Sequence, residues 1–334
     1  MITLFRYALP FARPVATRHG ALATRTGVLV CDGHAWGEAA PWPGLSTESV
    51  GEAEGELQSW RECQASGRDF SPQLSSVAFA FDSVTDVVGT ARRAVRQTKT
   101  TPTTPTKIPI TALLSDEPLE TALAAVRSAG FGTVKIKVGR QAIRADAERM
   151  LEAYRQLGPS IKLRLDANRA WSLADALDFG KRIAGVPLEY IEEPLQNPAE
   201  LPAFHERSGL PVALDETLLE QPLENFRAWR GVRAVVIKPT ILGGLRTAEQ
   251  LAAQATDLGW SAVFSAVYES GVGIRTLAHL AARCGAPGVA MGFDTYRCLA
   301  DDILLPRLTI RDGALDLAEA DRAKVCVDKL QELP

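Results

Sequence analysis

Between residues 108 and 295, short apolar runs alternate with longer amphipathic stretches. IPITALL, TVKIKVG, IKLRLDAN, LEYIEEP, PVALDET, AVVIKPT, SAVFSAV and GVAMGFD read as strands, and the stretches between them, from LETALAAVRSAGF to GIRTLAHLAARCG, read as helices. Strands alternating with helices imply a parallel α/β sheet, and eight such units predict closure into a (β/α)8-type, TIM-like barrel. An open, doubly wound sheet is the alternative, but no GxGxxG follows any of the runs.

The first 95 residues have a different texture, that of a mixed module. TGVLVCDG (26–33) reads as a strand entering a turn, and HAWGEAAPWPG as a strand and a loop. STESVGEAEGELQSWREC has Ser and Glu at capping-box spacing and continues as a helix. SPQLSSVAFAFDSVTDVVGTARRA reads as a second helix. RQTKTTPTTPTK (96–107) is rich in Thr and Pro, lacks apolar periodicity and reads as a linker.

At 334 residues the chain has room for a barrel of roughly 250 residues and a smaller module. Hydrophobic residues make up 46%, charged residues 23%, and the net charge is −3. That balance is globular and gives no basic face for nucleic acid. Arg6, Pro10 and Arg13 interrupt the opening MITLFRYALPFARP, so it does not read as a secretory signal, and no window predicts a membrane span. Cys31, Cys63, Cys284, Cys298 and Cys326 are scattered without a CxxC. Reduced thiols in a cytoplasmic protein are the expectation, and a structural zinc site is not.

The strand ends are where chemistry is expected. In a barrel of this kind the active site sits where strands pass into loops. Within TVKIKVG, Lys135 and Lys137 alternate with Val134, Ile136 and Val138, so both lysines share one face. The next strands bring Arg164, Asp166 and Asn168, then Glu192 and Glu193, then Asp215 and Glu216. Lys238 ends the sixth strand, Ser265 the seventh with Glu269 beyond it, and Gly292 and Asp294 the eighth. Three successive carboxylates flanked by lysines would repel one another if buried alone. A divalent cation resolves this, and Mg²⁺ suits an all-oxygen donor set. The metal charge and the second ammonium are expected to lower the lysine pKa values. Glu193 and Glu216 alternate away from the inward face and read as supporting groups. His19, His34, His205 and His279 lack partner spacing, and Trp171 reads as packing.

These motifs resemble the enolase superfamily, in its muconate-lactonizing-type subgroup. The matching elements are KIK (135–137), RLDAN (164–168), IEEP (191–194), LDET (214–217) and IKPTILGG (237–244). WGEAAPWPGLSTES stands where that family's capping domain is expected. The resemblance implies an α+β capping domain and linker over 1–107, a barrel over 108–297, and a C-terminal segment, 298–334, returning to the cap. It implies Asp166, Glu192 and Asp215 as ligands of Mg²⁺, with Mn²⁺ as a substitute. Lys137 and Lys238 would face each other across a small carboxylate substrate, with Lys135 assisting Lys137. The shared step is removal of the proton α to the carboxylate.

SAVYESGVG (265–273) and MGFDTYRCLADDIL (291–304) resemble o-succinylbenzoate synthases. Gly292 stands where dipeptide epimerases place the first Asp of an Asp-x-Asp that holds the substrate ammonium. The expectation is therefore dehydration of 2-succinyl-6-hydroxy-2,4-cyclohexadiene-1-carboxylate to 2-succinylbenzoate, a step of menaquinone synthesis. Ser265 would help hold the succinyl tail, Arg164 and Asn168 would support the metal and lysines, and the Arg18–Gly20 loop would close over the substrate. N-succinylamino acid racemase, dipeptide epimerase and muconate-type cycloisomerase remain open. So do a non-catalytic metal-binding barrel and, from the two glycines of ILGGLRT, a barrel with a phosphate-bearing cofactor. The sequence leaves the oligomeric state open.

Overall fold

The computed structural model describes residues 1–17, 19–94, 105–114 and 117–334, with only the backbone described over 86–94. Arg18 and residues 96–104, to which the loop and linker expectations refer, lie outside the described residues.

The chain opens with β1 (Thr3–Thr17), a strand of 15 residues that the polar interruptions concealed. Its alternation is regular: Phe5, Tyr7, Leu9 and Phe11 are buried while Arg6, Ala8 and Pro10 face out. β1 pairs antiparallel with β2 (Gly20–Cys31), and β2 with β3 (Trp36–Ala39). Gln331 and Glu332, near the C-terminus, pair with Arg6 and Phe5 on the free edge of β1. Two helices cover this sheet, α1 (Val50–Ala65) and α2 (Ser75–Ala94). Ser49 and Glu52 form the expected capping box at the start of α1.

The run IPITALL is divided. β4 (Lys107–Pro109) pairs outside the barrel with Ala314–Asp316, and only β5 (Ala112–Leu114) enters the barrel. There follow α3 (Leu119–Ser128), β6 (Thr133–Lys137), α4 (Ile143–Leu157), β7 (Lys162–Asp166), α5 (Leu173–Arg182), β8 (Leu188–Glu192), α6 (Leu201–Ser208) and β9 (Val212–Leu214). Then come α7 (Thr217–Glu220), β10 (Val232–Ile237), α8 (Pro239–Leu242), α9 (Gly244–Asp257), β11 (Ser261–Phe264) and α10 (Gly271–Cys284). Strands β5 to β11 form one parallel sheet in chain order.

Two expected elements are smaller than the pattern predicts. LENFRAWRG, after Pro222, makes only a 3-10 turn, Leu223–Phe226, that buries Leu223 and Phe226. The eighth run, in a segment containing Gly285, Pro287, Gly288 and Gly292, is too short for a full strand. It contributes single bridges that join the two sheet edges. Gly292 N–H donates to Phe264 O (2.8 Å) on β11, and Met291 N–H donates to Pro109 O (2.7 Å) just before β5. These bridges complete the ring.

Val134, Ile136, Leu163, Leu165, Ile191, Val235 and Ile237 point outward and are buried beneath the helices. Tyr190, Ala213, Ala234 and Val263 form a separate apolar cluster from the alternate strand positions. The polar strand ends lie above it. Among the described residues no helix is long and apolar enough to cross a membrane.

Candidate active site

Lys135 and Lys137 are each two positions apart on β6, which holds them on one face, while Val134 and Ile136 are fully buried on the other. Register places Lys137 beside Asp166 and Asp166 beside Glu192. Asp166, Glu192 and Asp215 are all buried, at the ends of three adjacent strands. Lys135 Nζ donates to both Glu192 oxygens (2.7 and 2.8 Å) and pairs with Asp166 Oδ2 at 2.7 Å. Lys137 Nζ donates to Asp166 Oδ2 (2.6 Å) and to Asn168 Oδ1 (2.6 Å). Lys238 Nζ, following β10, donates to Asp215 Oδ2. The sheet order puts Lys137 and Lys238 on strands separated by the three carboxylate-bearing ones.

A layer of supporting groups fixes this set. Glu193, fully buried, accepts from the backbone N–H groups of Asp215 and Thr217 (2.8 Å each), the Thr217 hydroxyl (2.9 Å) and Arg169 Nε (3.1 Å). It thus holds the turn carrying Asp215, the supporting role its alternation predicts. Asn168 joins Lys137 to Glu216, donating from Nδ2 to Glu216 Oε1 (3.1 Å). Arg164 lies level with Lys135 in the β6–β7 register, below Lys137 and Asp166. It donates to Glu189 (2.7 Å), Thr111 (2.8 Å) and Ala290 O (2.7 Å), so it braces the barrel floor rather than touching the lysines. Ser265 pairs with Gly292 at the rim, its hydroxyl 3.3 Å from Gly292 O.

Among the chain's own groups the carboxylates dominate the electrostatics of the site. Burial lowers the Lys135 pKa, but Asp166 and Glu192 outweigh it and raise that pKa well above the ordinary lysine value. Lys238 is likewise raised, burial being outweighed by Asp215 and Glu192. For Lys135 and Lys238 the neighbouring carboxylates are the charges that set this direction. Burial raises Asp166, yet Lys135 and Lys137 overcome it and hold that carboxyl far below its usual range. Burial and the adjacent Asp166 push Glu192 well upward.

Among the described residues no three Asp, Glu, His or Cys side chains are gathered into a ready metal cluster, because the carboxylates are turned onto the ammonium groups. The donor set nevertheless fits a hard divalent cation. All the donors are oxygens on adjacent strand ends, and Glu216 Oε2 is buried beside them without a hydrogen-bond partner.

The cleft above these residues has a volume of about 170 Å³. It is lined by the lysines, Asp166, Asp215, Asn168, Ser265 and Gly292, together with residues to which the sequence reading gave no role of their own: Trp42 and Leu45 from the cap, Leu113, Tyr268 and Thr295. The aromatic and proline density of HAWGEAAPWPG was the available signal for Trp42. Tyr268 stands inside SAVYESGVG, which marked the loop after the seventh strand but not this residue.

The comparisons with known proteins agree with this geometry. The family description "Enolase C-terminal domain-like" matches residues 118–321, and "MenC, N-terminal domain" matches residues 1–86. The chain is an enzyme of the enolase superfamily. An o-succinylbenzoate synthase from Salmonella newport is 33% identical over 314 residues, covering 91% of this chain and 93% of that protein. The chloroplastic protein PHYLLO of Arabidopsis thaliana is 40% identical over 230 residues; the match spans 62% of this chain but only 13% of that much longer protein. Among solved structures, the dipeptide epimerase from Enterococcus faecalis complexed with Mg and the dipeptide L-Leu-L-Tyr superimposes with a TM-score of 0.76. At 19% identity, covering 95% of this chain and 96% of that one, it shares the fold.

Proposed function

We propose that the chain is an o-succinylbenzoate synthase, a cytoplasmic lyase of menaquinone synthesis that removes water from 2-succinyl-6-hydroxy-2,4-cyclohexadiene-1-carboxylate. The observation that carries this reading is the closed rim at Gly292. Gly292 brings no side chain to the position at which a substrate ammonium would need a carboxylate, and a Cβ there would crowd Ser265, 2.7 Å from its Oγ and 3.2 Å from its Cβ. Asp294, two residues on, has one oxygen committed to Leu113 N–H and Arg297. The similarity to o-succinylbenzoate synthases over nearly the whole chain supports the same reading.

Asp166, Glu192 and Asp215 would hold Mg²⁺, whose positive charge stabilises the negative oxygen that develops on the substrate carboxylate. Lys137 Nζ, placed by Asn168 and Asp166, takes the α-proton in its neutral amine form, becoming an ammonium as the C–H bond breaks. It returns a proton to the hydroxyl as the C–O bond breaks, so water leaves and the ring becomes aromatic. Lys238, across the sheet, places a cation beside the charge formed in between. Lys135 braces the Asp166–Glu192 pair.

A second reading, N-succinylamino acid racemisation, is favoured by one feature: Lys137 and Lys238 approach from opposite flanks of the carboxylates, as two-base proton exchange requires. The test is to mix protein, Mg²⁺ and the cyclohexadiene carboxylate, and to follow aromatisation by absorbance beside a chelated control. Chelator-sensitive aromatisation supports the synthase. No aromatisation by folded, Mg²⁺-loaded protein overturns it, and racemisation of N-succinylamino acids then takes its place.

A further inference from the structure

Arg25, on β2, is 2% exposed, and its hydrogen bonds all run to main-chain carbonyls. Two of these lie in the cap loop: Nη1 donates to Pro41 O (2.8 Å) and Nη2 to Ala40 O. Two lie in the loop after β11: Nε donates to Tyr268 O (3.0 Å) and Nη2 to Val267 O (3.4 Å). A weaker contact of 3.4 Å reaches the neighbouring Thr26 O. A buried guanidinium is costly unless its N–H groups are met, and here they are met by two loops that belong to different parts of the chain. Arg25 therefore fixes the distance between those loops.

The loops carry a stacked aromatic pair. Trp42 and Tyr268 have ring centroids 4.4 Å apart at 17°, and Phe11 meets both rings edge-on. The Arg25 guanidinium lies 5.3 Å from the Trp42 ring centre. Tyr268 adopts a left-handed backbone (φ 60°), which a bulky residue enters only when its surroundings hold it there. Both rings line the cleft above Lys135, Lys137 and Lys238.

We propose that Arg25 is a positioning residue holding Trp42 and Tyr268 as an aromatic roof over the site, and that this roof selects a flat, unsaturated ring over an acyclic N-acyl amino acid. The choice of ring rests on the dehydration proposed above. The roof offers a rigid face whose interactions strengthen with a planar π-system. The roof supplies ring faces and no base, so it acts on binding more than on proton transfer.

The experiment measures synthase KM and kcat, together with calorimetric affinity for 2-succinylbenzoate and for N-succinylvaline, in the Mg²⁺-loaded protein. Trp42→Leu is expected to raise KM and the 2-succinylbenzoate Kd roughly five- to tenfold, from the usual worth of one aromatic stack. It should lower kcat less, and weaken N-succinylvaline binding by under twofold. Trp42→Phe should restore most of the loss. Arg25→Met should reproduce Trp42→Leu, with partial recovery in Arg25→Lys; if Arg25→Met does not fold, Arg25→Lys carries this arm, and wild-type KM and Kd in a folded Arg25 variant overturn the positioning role. Unchanged KM and Kd in Trp42→Leu, or equal losses for both ligands, overturn the roof. Wild-type protein that binds 2-succinylbenzoate through Trp42 but does not aromatise the cyclohexadiene overturns the synthase reading and leaves the roof standing. Failure to bind 2-succinylbenzoate overturns both.

Discussion

Lys137 is the residue on which the proposed chemistry turns, and its surroundings make the role separable from stability. Its side chain is 17% exposed, and its removal leaves Asp166 still paired with Lys135. Lys137→Ala should therefore lower turnover by about a thousandfold or more, while circular dichroism and the melting temperature stay close to those of the parent. Wild-type turnover in that variant would remove the proposed base. Asp294 supports a different residue-scale prediction. Burial, partly countered by Arg297, pushes its carboxyl up to about 6 from an ordinary 3.8. A carboxyl raised by folding favours the folded state when protonated. Its contribution is fully present below pH 4 and is lost as pH rises through about 6. Asp294→Asn cannot titrate, so the melting temperature of the parent relative to this variant should fall between pH 4 and pH 7. The change corresponds to about 2–3 kcal/mol. A gap that does not vary with pH would show an unshifted carboxyl.

At the scale of elements, two barrel helices take their N-terminal acceptors from the cap. Asp82 on α2 accepts from Arg246 N–H (3.1 Å) in the first turn of α9. Glu38 on β3, fully buried, accepts from Ser270 N–H (2.9 Å), the Ser270 hydroxyl (2.7 Å) and Gly273 N–H (2.7 Å) at the start of α10, and from the Tyr7 hydroxyl. A carboxylate at a helix N-terminus satisfies donors that the helix itself cannot, and complements its dipole. Glu38→Ala would strand those donors in the interior, so it should cost about 3 kcal/mol or more and visibly lower the melting temperature. An unchanged melting temperature would mean that the donors find other partners. Such long-range capping is not legible in sequence, because Glu38 and Ser270 are brought together only by the fold. The barrel strands were legible because burial on the outer face enforces apolar alternation around Lys135, Arg164 and Tyr190. β1 is hard to read from sequence because Arg6 and Pro10 look like interruptions, yet they are the outward half of a regular alternation. The eighth run has the apolar residues of a strand, but glycines and Pro287 leave only Met291 and Gly292 to bridge the edges.

At the scale of the whole molecule, cap and barrel are tied at both ends of the chain and across the active-site rim. Gln331 and Glu332 extend the sheet begun by β1, and Arg25 and Glu38 are buried against loops of the barrel. Gly244 on α9 is so close to α2 that a Cβ would lie 2.9 Å from the Ala78 carbonyl carbon. Contacts this close predict that cap and barrel lose structure in one thermal transition. The position of that transition should report the metal. Asp166 and Asp215 line the cleft, and Glu192 and Glu216 interact with them from beside it, so four carboxyl groups stand against the three ammonium groups of Lys135, Lys137 and Lys238, with burial raising Glu192 and Glu216. A divalent cation relieves that excess in the folded chain and finds no comparable cluster in the unfolded one. At a hundredfold excess over its dissociation constant it should add about 2.7 kcal/mol. Thermal scans should thus show Mg²⁺ raising the melting temperature and a chelator reversing the rise. Asp215→Asn, which removes one charged ligand but keeps the side chain's size, should need far more Mg²⁺ for the same shift. If neither Mg²⁺ nor chelator moves the transition of the parent, the three strand-end carboxylates are held by their lysines alone, and their assignment as metal ligands fails.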